Sequence, residues 1–356
     1  MLGSVAKLLQ RVSAKTEHPI GAALLERISW DDLRVFVVVA RTLSFRKAAT
    51  VLRTATSTIL RRIERLEETL EFRLFDRLTD GLALTAEGRA VYASAQQMEL
   101  ASHSLRAHLD PDLTTRGTVR CSVTEGLGTA WILPQLAQFC RTHPTTVVDL
   151  RCAMEVADVM QMEADVAVQL QKPDRAEAKV VRLGRMHLCL FASKRYIELY
   201  GLPKTLEEMR QHRLIDQKAP QVEENVVPRL FNMPSVEGFV AFRTNTSTAH
   251  AYAIDLGMGI GALPTYVMAL GTELVPVDIG VRNQVDIWMT YHPDVRSIRR
   301  VSQFIDWLRT LFDAKRYPWF GDEFIQPNEL IGTAPPELVM PAPTLHHKPP
   351  LRAKAG

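Results

Sequence analysis

Residues 44–66 read SFRKAATVLRTATSTILRRIERL, and the spacing predicts two short helices joined by a tight turn. Ser44 offers a hydroxyl to cap the first of them, which carries Ala48, Ala49 and Leu52 on one side. Two adjacent alanines let another helix backbone come close. A turn falls at Arg53-Thr54. The second helix carries Ile59, Ile63, Leu66 and Leu70 on one stripe, leaving Thr56, Ser57, Thr58, Arg61, Arg62 and Arg65 off it. Between Arg41 and Arg65 the cations are Arg41, Arg46, Lys47, Arg53, Arg61, Arg62 and Arg65, and the one anion is Glu64. A local basic face of this kind binds polyanions even when the whole chain is nearly neutral.

Upstream, Ser29-Trp30-Asp31-Asp32 opens a further helix. Ser29 is placed to accept from its free amides, and the aspartates suit its positive dipole end. Leu33, Phe36, Val37 and Ala40 recur at helical spacing. Downstream, Phe72–Leu74 and Leu82–Leu84 flank Asp80-Gly81 and predict a small β-hairpin wing. Thr85, followed by Glu87, caps a long helix to about Leu109, poor in charge along Ala90, Ala101 and Leu105. A long, mildly apolar helix between domains suits dimer pairing. It stops before Asp110-Pro111.

The chain has 356 residues, formal charge +3, 46% hydrophobic and 23% charged residues, which suits two or three globular domains. Cys121, Cys140, Cys152 and Cys189 form no CxxC pair and stand without a histidine cluster, so they read as reduced thiols with no metal. No apolar run reaches the ~20 residues of a membrane span, and the N-terminus lacks a signal-peptide pattern, which together imply the cytoplasm. From Gly117 the texture changes. Strands are expected at Thr118–Val123, Thr146–Arg151, Asp165–Leu170, Leu188–Ala192, Ala241–Arg243 and Val285–Tyr291. Helices are expected at Thr129–Arg141, Tyr196–Tyr200, Thr205–Gln211, Ala249–Gly257 and Ser297–Phe312. Strands alternating with helices imply a parallel sheet covered on both faces. The tail, rich in prolines from Pro327 to Pro350, is expected to be disordered, because it buries too little apolar surface to offset its ordering entropy.

Several of these residues carry a family likeness. Asp32-Leu33-Arg34 with Phe36, Ser44-Phe45 with Ala48-Ala49 and Leu52, Arg61-Arg62-Ile63 with Arg65-Leu66-Glu67, Arg73–Arg77 and Leu84–Gly88 resemble the LysR-type transcriptional regulators in order and spacing. Gly117–Arg120, Leu133-Pro134, Asp165–Val168 and Gly257–Pro264 look like that family's effector domain. The resemblance implies an α+β multidomain chain: a winged helix-turn-helix, a long linker helix and a two-lobed, periplasmic-binding-protein-like α/β domain. The expected divisions are an extension of unknown role at 1–27, the DNA-binding domain at 28–85 and the linker or dimerisation helix at 86–114. The effector domain covers 115–313, with lobe one at 115–175 and 275–313 and lobe two at 176–274. A Pro-rich tail occupies 314–356. The resemblance also implies dimers and tetramers, promoter DNA bent on binding, a small-molecule effector and RNA polymerase as a further partner. No cofactor is implied. The sequence departs from the family habit at Ala55, Thr56, Ser57, Leu60 and Glu71. Thr56 is too short for the bidentate contact to adenine that a glutamine makes there.

The candidate DNA contacts are Arg46, Arg53, Thr56, Ser57, Thr58, Arg61, Arg62, Arg65 and Arg77. Thr56, Ser57, Thr58 and Arg61 occupy the leading exposed face of the recognition helix, with Arg61 the candidate for a bidentate guanine contact. Arg46, Arg53, Arg62 and Arg65 are candidates for phosphates, and Arg77 for the backbone or minor groove. The alternative, a solvated charged helix face, is set against the whole helix–turn–helix–wing order. Glu67-Glu68 reads as such a solvated face. For the effector, the candidates are Thr124 and Glu125 after the first strand of the second half, Gln169 at the end of the DVAVQL strand, and Thr244 and Thr246 before the Ala249 helix. Glu125 replaces the serine or threonine usual in the family near that loop, which excludes a carboxylate effector or selects an amine. Ordinary capping and turn chemistry is the competing reading of the group. A different class of function, a solute-binding or enzymatic α/β domain fused to a DNA-binding head, lacks a G-x-S-x-G elbow, P-loop, HExxH or Cys–His pairing, so no catalytic residues are expected.

Overall fold

The apolar stripes at the N-terminal end close on one another as helical spacing dictates. The structure, a computed structural model, describes residues 27–78, 81–109, 115–174, 177–222, 238–335 and 338. The chain falls into two compact units that divide between Leu105 and Arg106. In the first unit, α1 (Trp30–Thr42), α2 (Phe45–Leu52) and α3 (Thr56–Leu70) enclose a core of Leu33, Phe36, Val37, Ala40, Ala48, Ala49, Ile59, Ile63 and Leu66. Ala48 is fully buried, as close helix approach requires. The wing consists of β1 (Phe75–Leu78) and β2 (Gly81–Leu84), with Phe75 opposite Leu84. Its first strand starts three residues later than Phe72, because Leu74 is drawn into the core with Phe75. Phe75 stacks at a tilt on Phe36, with centroids 5.4 Å apart. The linker helix α4 (Ala86–Leu109) starts where expected, its Gly88 amide donating to Thr85 Oγ1 at 2.8 Å. Residues 110–114 and the extension up to residue 26 lie outside the described residues.

The second unit contains β3 (Gly117–Val123), β4 (Thr146–Cys152), β5 (Val166–Gln169), β6 (Lys179–Ala192), β7 (Leu214–Gln217), β8 (Val240–Thr244), β9 (Gly261–Pro264) and β10 (Val275–Tyr291). Six of them form one sheet in the order β4-β3-β5-β10-β6-β9, and β7 pairs with β8 separately. The expectation of a parallel sheet is corrected here. β4, β3 and β5 are parallel, while β10 is antiparallel to β5 and β6, and β9 is antiparallel to β6. β6 and β10 are long because they carry the chain between the two lobes, so Leu188–Ala192 and Val285–Tyr291 are parts of longer strands. Helix α5 (Leu133–Thr142) follows a π turn at Gly128–Ile132. α6 (Lys194–Tyr200), α7 (Ser247–Asp255) and α8 (Arg299–Thr310) follow, and Glu208–Gln211 is a 3₁₀ turn rather than a longer helix.

The expected disordered tail is also corrected. Tyr317, Trp319, Phe320 and Leu330 are 2% exposed or less. Trp131 receives Tyr317, Trp319 and Phe320 around its ring. Aromatic burial outweighs the proline content as far as residue 335, and the rest of the tail, apart from buried Leu338, lies outside the described residues.

Candidate nucleic-acid interface and effector cleft

α2 ends at Arg53 in the left-handed conformation (φ 51°, ψ 47°), and Thr54 N donates back to Ala49 O at 3.0 Å. That reversal aims the start of α3 outward. The cap of α3 is Ala55, which has no side-chain acceptor, and Thr58 N bonds to its carbonyl instead. Ser29 likewise caps α1 through its carbonyl alone, whereas Ser44 accepts from Lys47 N with its hydroxyl, as expected. Thr56, Ser57 and Arg61 are exposed and Thr58 is half-buried. Arg46 and Arg53 are also exposed, and among the described residues no carboxylate pairs with Arg46, Arg53 or Arg61. Those three arginines therefore keep their full donor capacity for an external anion.

Arg65 is placed differently. Its Nε and Nη2 grip the carboxylate of Asp32 at 2.8 and 2.5 Å, joining α3 to the first turn of α1. Asp32 is 3% exposed, so this carboxylate depends on its partner. The hydrogen bonds and charge of Asp32 raise the Arg65 pKa. Arg62 lies 3.6 Å from the same carboxylate. Sequence reasoning gave Asp32 to the helix dipole and missed this pairing. It also read Glu67 as a solvated face, but Glu67 Oε1 accepts from Leu74 N at 2.7 Å and Phe75 N at 3.3 Å, fastening the wing to α3. Arg77 opposes Leu82 in the wing, and its side chain lies outside the described residues.

In the second unit, the loops at the carboxyl ends of β3 and β5 meet α7 and the segment after β7. Glu125 accepts from Thr248 N at 2.9 Å and from the Thr248 hydroxyl. A Cβ at Gly126 would come within 2.8 Å of Ser247 Cβ, so the glycine permits this approach. Thr124 is 2% exposed, and its Oγ1 has no hydrogen-bond partner among the described residues. Gln221, which sequence reasoning missed, is buried between two loops. Its Oε1 accepts from Leu170 N and its Nε2 donates to Met154 O, both at 2.9 Å. Its nearest sequence signal is the break at Pro220. Thr246 and Thr244 serve local geometry: Thr246 Oγ1 accepts from Ala249 N at 3.4 Å, and Thr244 Oγ1 from Thr246 N at 3.2 Å. Gln169, whose Nε2 donates to Gln171 O at 2.9 Å, lines a cavity of about 270 Å³ with Val156, Val159, Pro173 and Thr290. Thus Glu125 is brought to the start of α7 by its bonds to Thr248, with Thr124 preceding it and Gln169 on the neighbouring strand, one residue past the Val168 carbonyl that accepts from Thr124 N.

Comparison with known proteins matches the two units separately. "Bacterial regulatory helix-turn-helix protein, lysR family" matches residues 30–89, and "LysR substrate binding domain" matches residues 114–313. The chain belongs to the LysR family of transcriptional regulators. An HTH-type transcriptional regulator of Xanthomonas campestris pv. campestris is 30% identical over 186 residues, 52% of this chain and 54% of that protein. The Mau operon transcriptional activator of Paracoccus denitrificans is 24% identical over 291 residues, covering 80% and 97%. Among solved structures, full-length OxyR from Pseudomonas aeruginosa, in a single-substitution variant, superposes with TM-score 0.60 at 13% identity, covering 80% and 97%. ArgP from Mycobacterium tuberculosis does so with TM-score 0.59 at 18% identity, covering 79% and 96%. As a LysR-type regulator, this chain combines a helix-turn-helix DNA-binding domain with an effector-binding domain and is not an enzyme. Among the described residues no helix is long and apolar enough to cross a membrane.

Proposed function

We propose that α3 enters the major groove of a promoter duplex in the cytoplasm, with Thr56, Ser57, Thr58 and Arg61 on base edges and Arg46, Arg53 and Arg62 on flanking phosphates. Arg65 presents to the backbone the guanidinium edge that Asp32 leaves open, and Arg77 approaches from the wing. The carrying observation is that Arg46, Arg53 and Arg61 are exposed around the leading turn of α3 without a carboxylate partner among the described residues. Mobility-shift titration with DNA from upstream of the gene, at two salt concentrations, tests it. Arg61→Ala is expected to cost ~1–3 kcal/mol on the specific site and to relax base choice. Equal weakening on specific and random duplexes would make Arg61 a phosphate contact instead.

The same proposal gives the second unit a small-molecule effector held between lobe one (115–175, 275–313) and lobe two (176–274), near Thr124, Glu125, Thr244 and Thr246, with Gln169 in the adjoining cavity. The buried, unpartnered Thr124 hydroxyl beside the Glu125–Thr248 contact supports a polar ligand there. α4 is the proposed pairing helix of a dimer, and two dimers form the tetramer that holds two duplex sites. Light scattering of the full chain, alone and with DNA, reads that assembly.

A further inference from the structure

Residues 313–335 follow α8 and run past the end of the stretch matched by the substrate-binding-domain family. Their side chains are committed to both lobes. Toward lobe one, the Trp131 ring stands edge-on to Tyr317 at 4.8 Å and meets Phe320 at 5.0 Å. The Tyr317 hydroxyl donates to Gln135 Oε1 at 3.0 Å. Toward lobe two, Phe320 packs on Tyr266 at 5.7 Å. Between these anchors the segment lies along β6 and β10, the strands that connect the lobes. Gly184 of β6 leaves room for it, since a Cβ there would come within 2.9 Å of Phe320 O. His187 Nε2 is 3.0 Å from Gly321 O, Arg182 pairs with Asp322, and the Arg282 guanidinium of β10 lies 4.2 Å over the Phe324 ring.

We propose that residues 313–335 are a strap that fixes the two lobes in one relative arrangement. Any hinge motion that parts the lobes must bend β6 and β10 or move Trp131 away from Tyr266. The strap resists both, because its aromatic side chains occupy the angle between them. A packed cluster of this kind has discrete arrangements rather than a continuous range. The contacts between Glu125 and Thr248, and between Gln221 and Leu170, therefore stay closed through the strap as well as through their own hydrogen bonds. Strap release is then a conformational control separate from the ligand site itself.

Hydrogen exchange on the full-length protein tests this. The Thr248 and Leu170 amides bond across the lobes and report their separation, whereas the amides of β3 report lobe one alone. In Phe320→Ala, the two interlobe amides are expected to exchange about tenfold faster, with β3 amides unchanged within about twofold. Asp322→Asn removes, at an exposed position, the carboxylate that Arg182 and Arg185 share with Asp286, and leaves the aromatic packing in place. It is expected to give the same selective pattern at about threefold, and it decides the matter if Phe320→Ala does not fold. Unchanged interlobe exchange in the variants would overturn the strap. So would uniform acceleration of all amides, which would make the segment ordinary core.

Discussion

Arg53 has two consequences that work in opposite directions. Its left-handed backbone (φ 51°) closes the turn between α2 and α3, and a side chain there costs roughly 1–2 kcal/mol relative to glycine. Arg53→Gly relieves that strain, although glycine adds unfolded-state entropy worth ~0.4–1 kcal/mol. The net expectation is a gain of roughly 0.5–1 kcal/mol in urea denaturation. Arg53→Ala keeps the strain and gains nothing. For DNA the two variants behave alike: each removes one phosphate neutralisation and flattens the slope of log affinity against log salt by about 0.9. If Arg53→Gly bound DNA as tightly as the parent chain, Arg53 would be a turn residue only. Strain at this position is therefore expected to persist because the cation is needed there.

At the scale of elements, the joint between wing and linker helix rests on Gly88. A Cβ at this position would come within 2.1 Å of Leu74 O, a backbone atom that has no room to yield. Leu74 is fully buried, and its carbonyl already accepts from Thr85 N. Gly88→Ala is therefore expected to cost ~2–3 kcal/mol by overpacking, read as a fall in the urea midpoint. Ala90→Gly, at an exposed position of the same helix, should cost only about 1 kcal/mol. Equal effects would mean that the wing is free to move aside. This joint also shows what sequence could and could not disclose. The Ser44 and Thr85 caps, the Ala48-Ala49 contact and the apolar stripe of α3 were legible because each follows from spacing within one helix. The pairing of Asp32 with Arg65 spans 33 residues, and an arginine bound to a carboxylate has the same sequence signature as one waiting for a phosphate. Glu67 was misread for a related reason: its partners are backbone amides of the wing, which no side-chain pattern records. In the second unit, capping explained Thr246, but the meeting of Glu125 with Thr248 depends on how two lobes close. Past residue 313 the aromatic run Tyr317–Phe320 is a stronger signal of order than the prolines are of disorder, because its rings offer a large apolar area to bury.

For the whole molecule, the buried histidine of α7 ties stability to pH. His250 lies on α7, 3% exposed, with Nε2 at 3.1 Å from Ala262 O and Nδ1 without a partner among the described residues. Burial lowers its pKa, opposed in part by the hydrogen bond to Ala262 and by the charge of Asp216. The carbonyl requires a donor, so Nε2 carries the proton and Nδ1 is bare. Below the unfolded-state value of about 6.5, the unfolded chain takes up a proton that the folded chain refuses. The histidine's contribution is thus fully present above about pH 6.5 and is lost as pH falls through and below that value, at no more than about 1.4 kcal/mol per pH unit. His212, whose pKa burial also lowers, adds a dependence of the same sign. His250→Gln keeps a donor for Ala262 O and removes the titration. Denaturation of parent and variant between pH 5 and 8 should give curves whose difference is flat above pH 7 and slopes below 6.5, with the His212 share left in both. Parallel curves across the range would mean that His250 takes up its proton as readily in the folded protein as in the unfolded chain, with the charge of Asp216 and the hydrogen bond to Ala262 offsetting its burial.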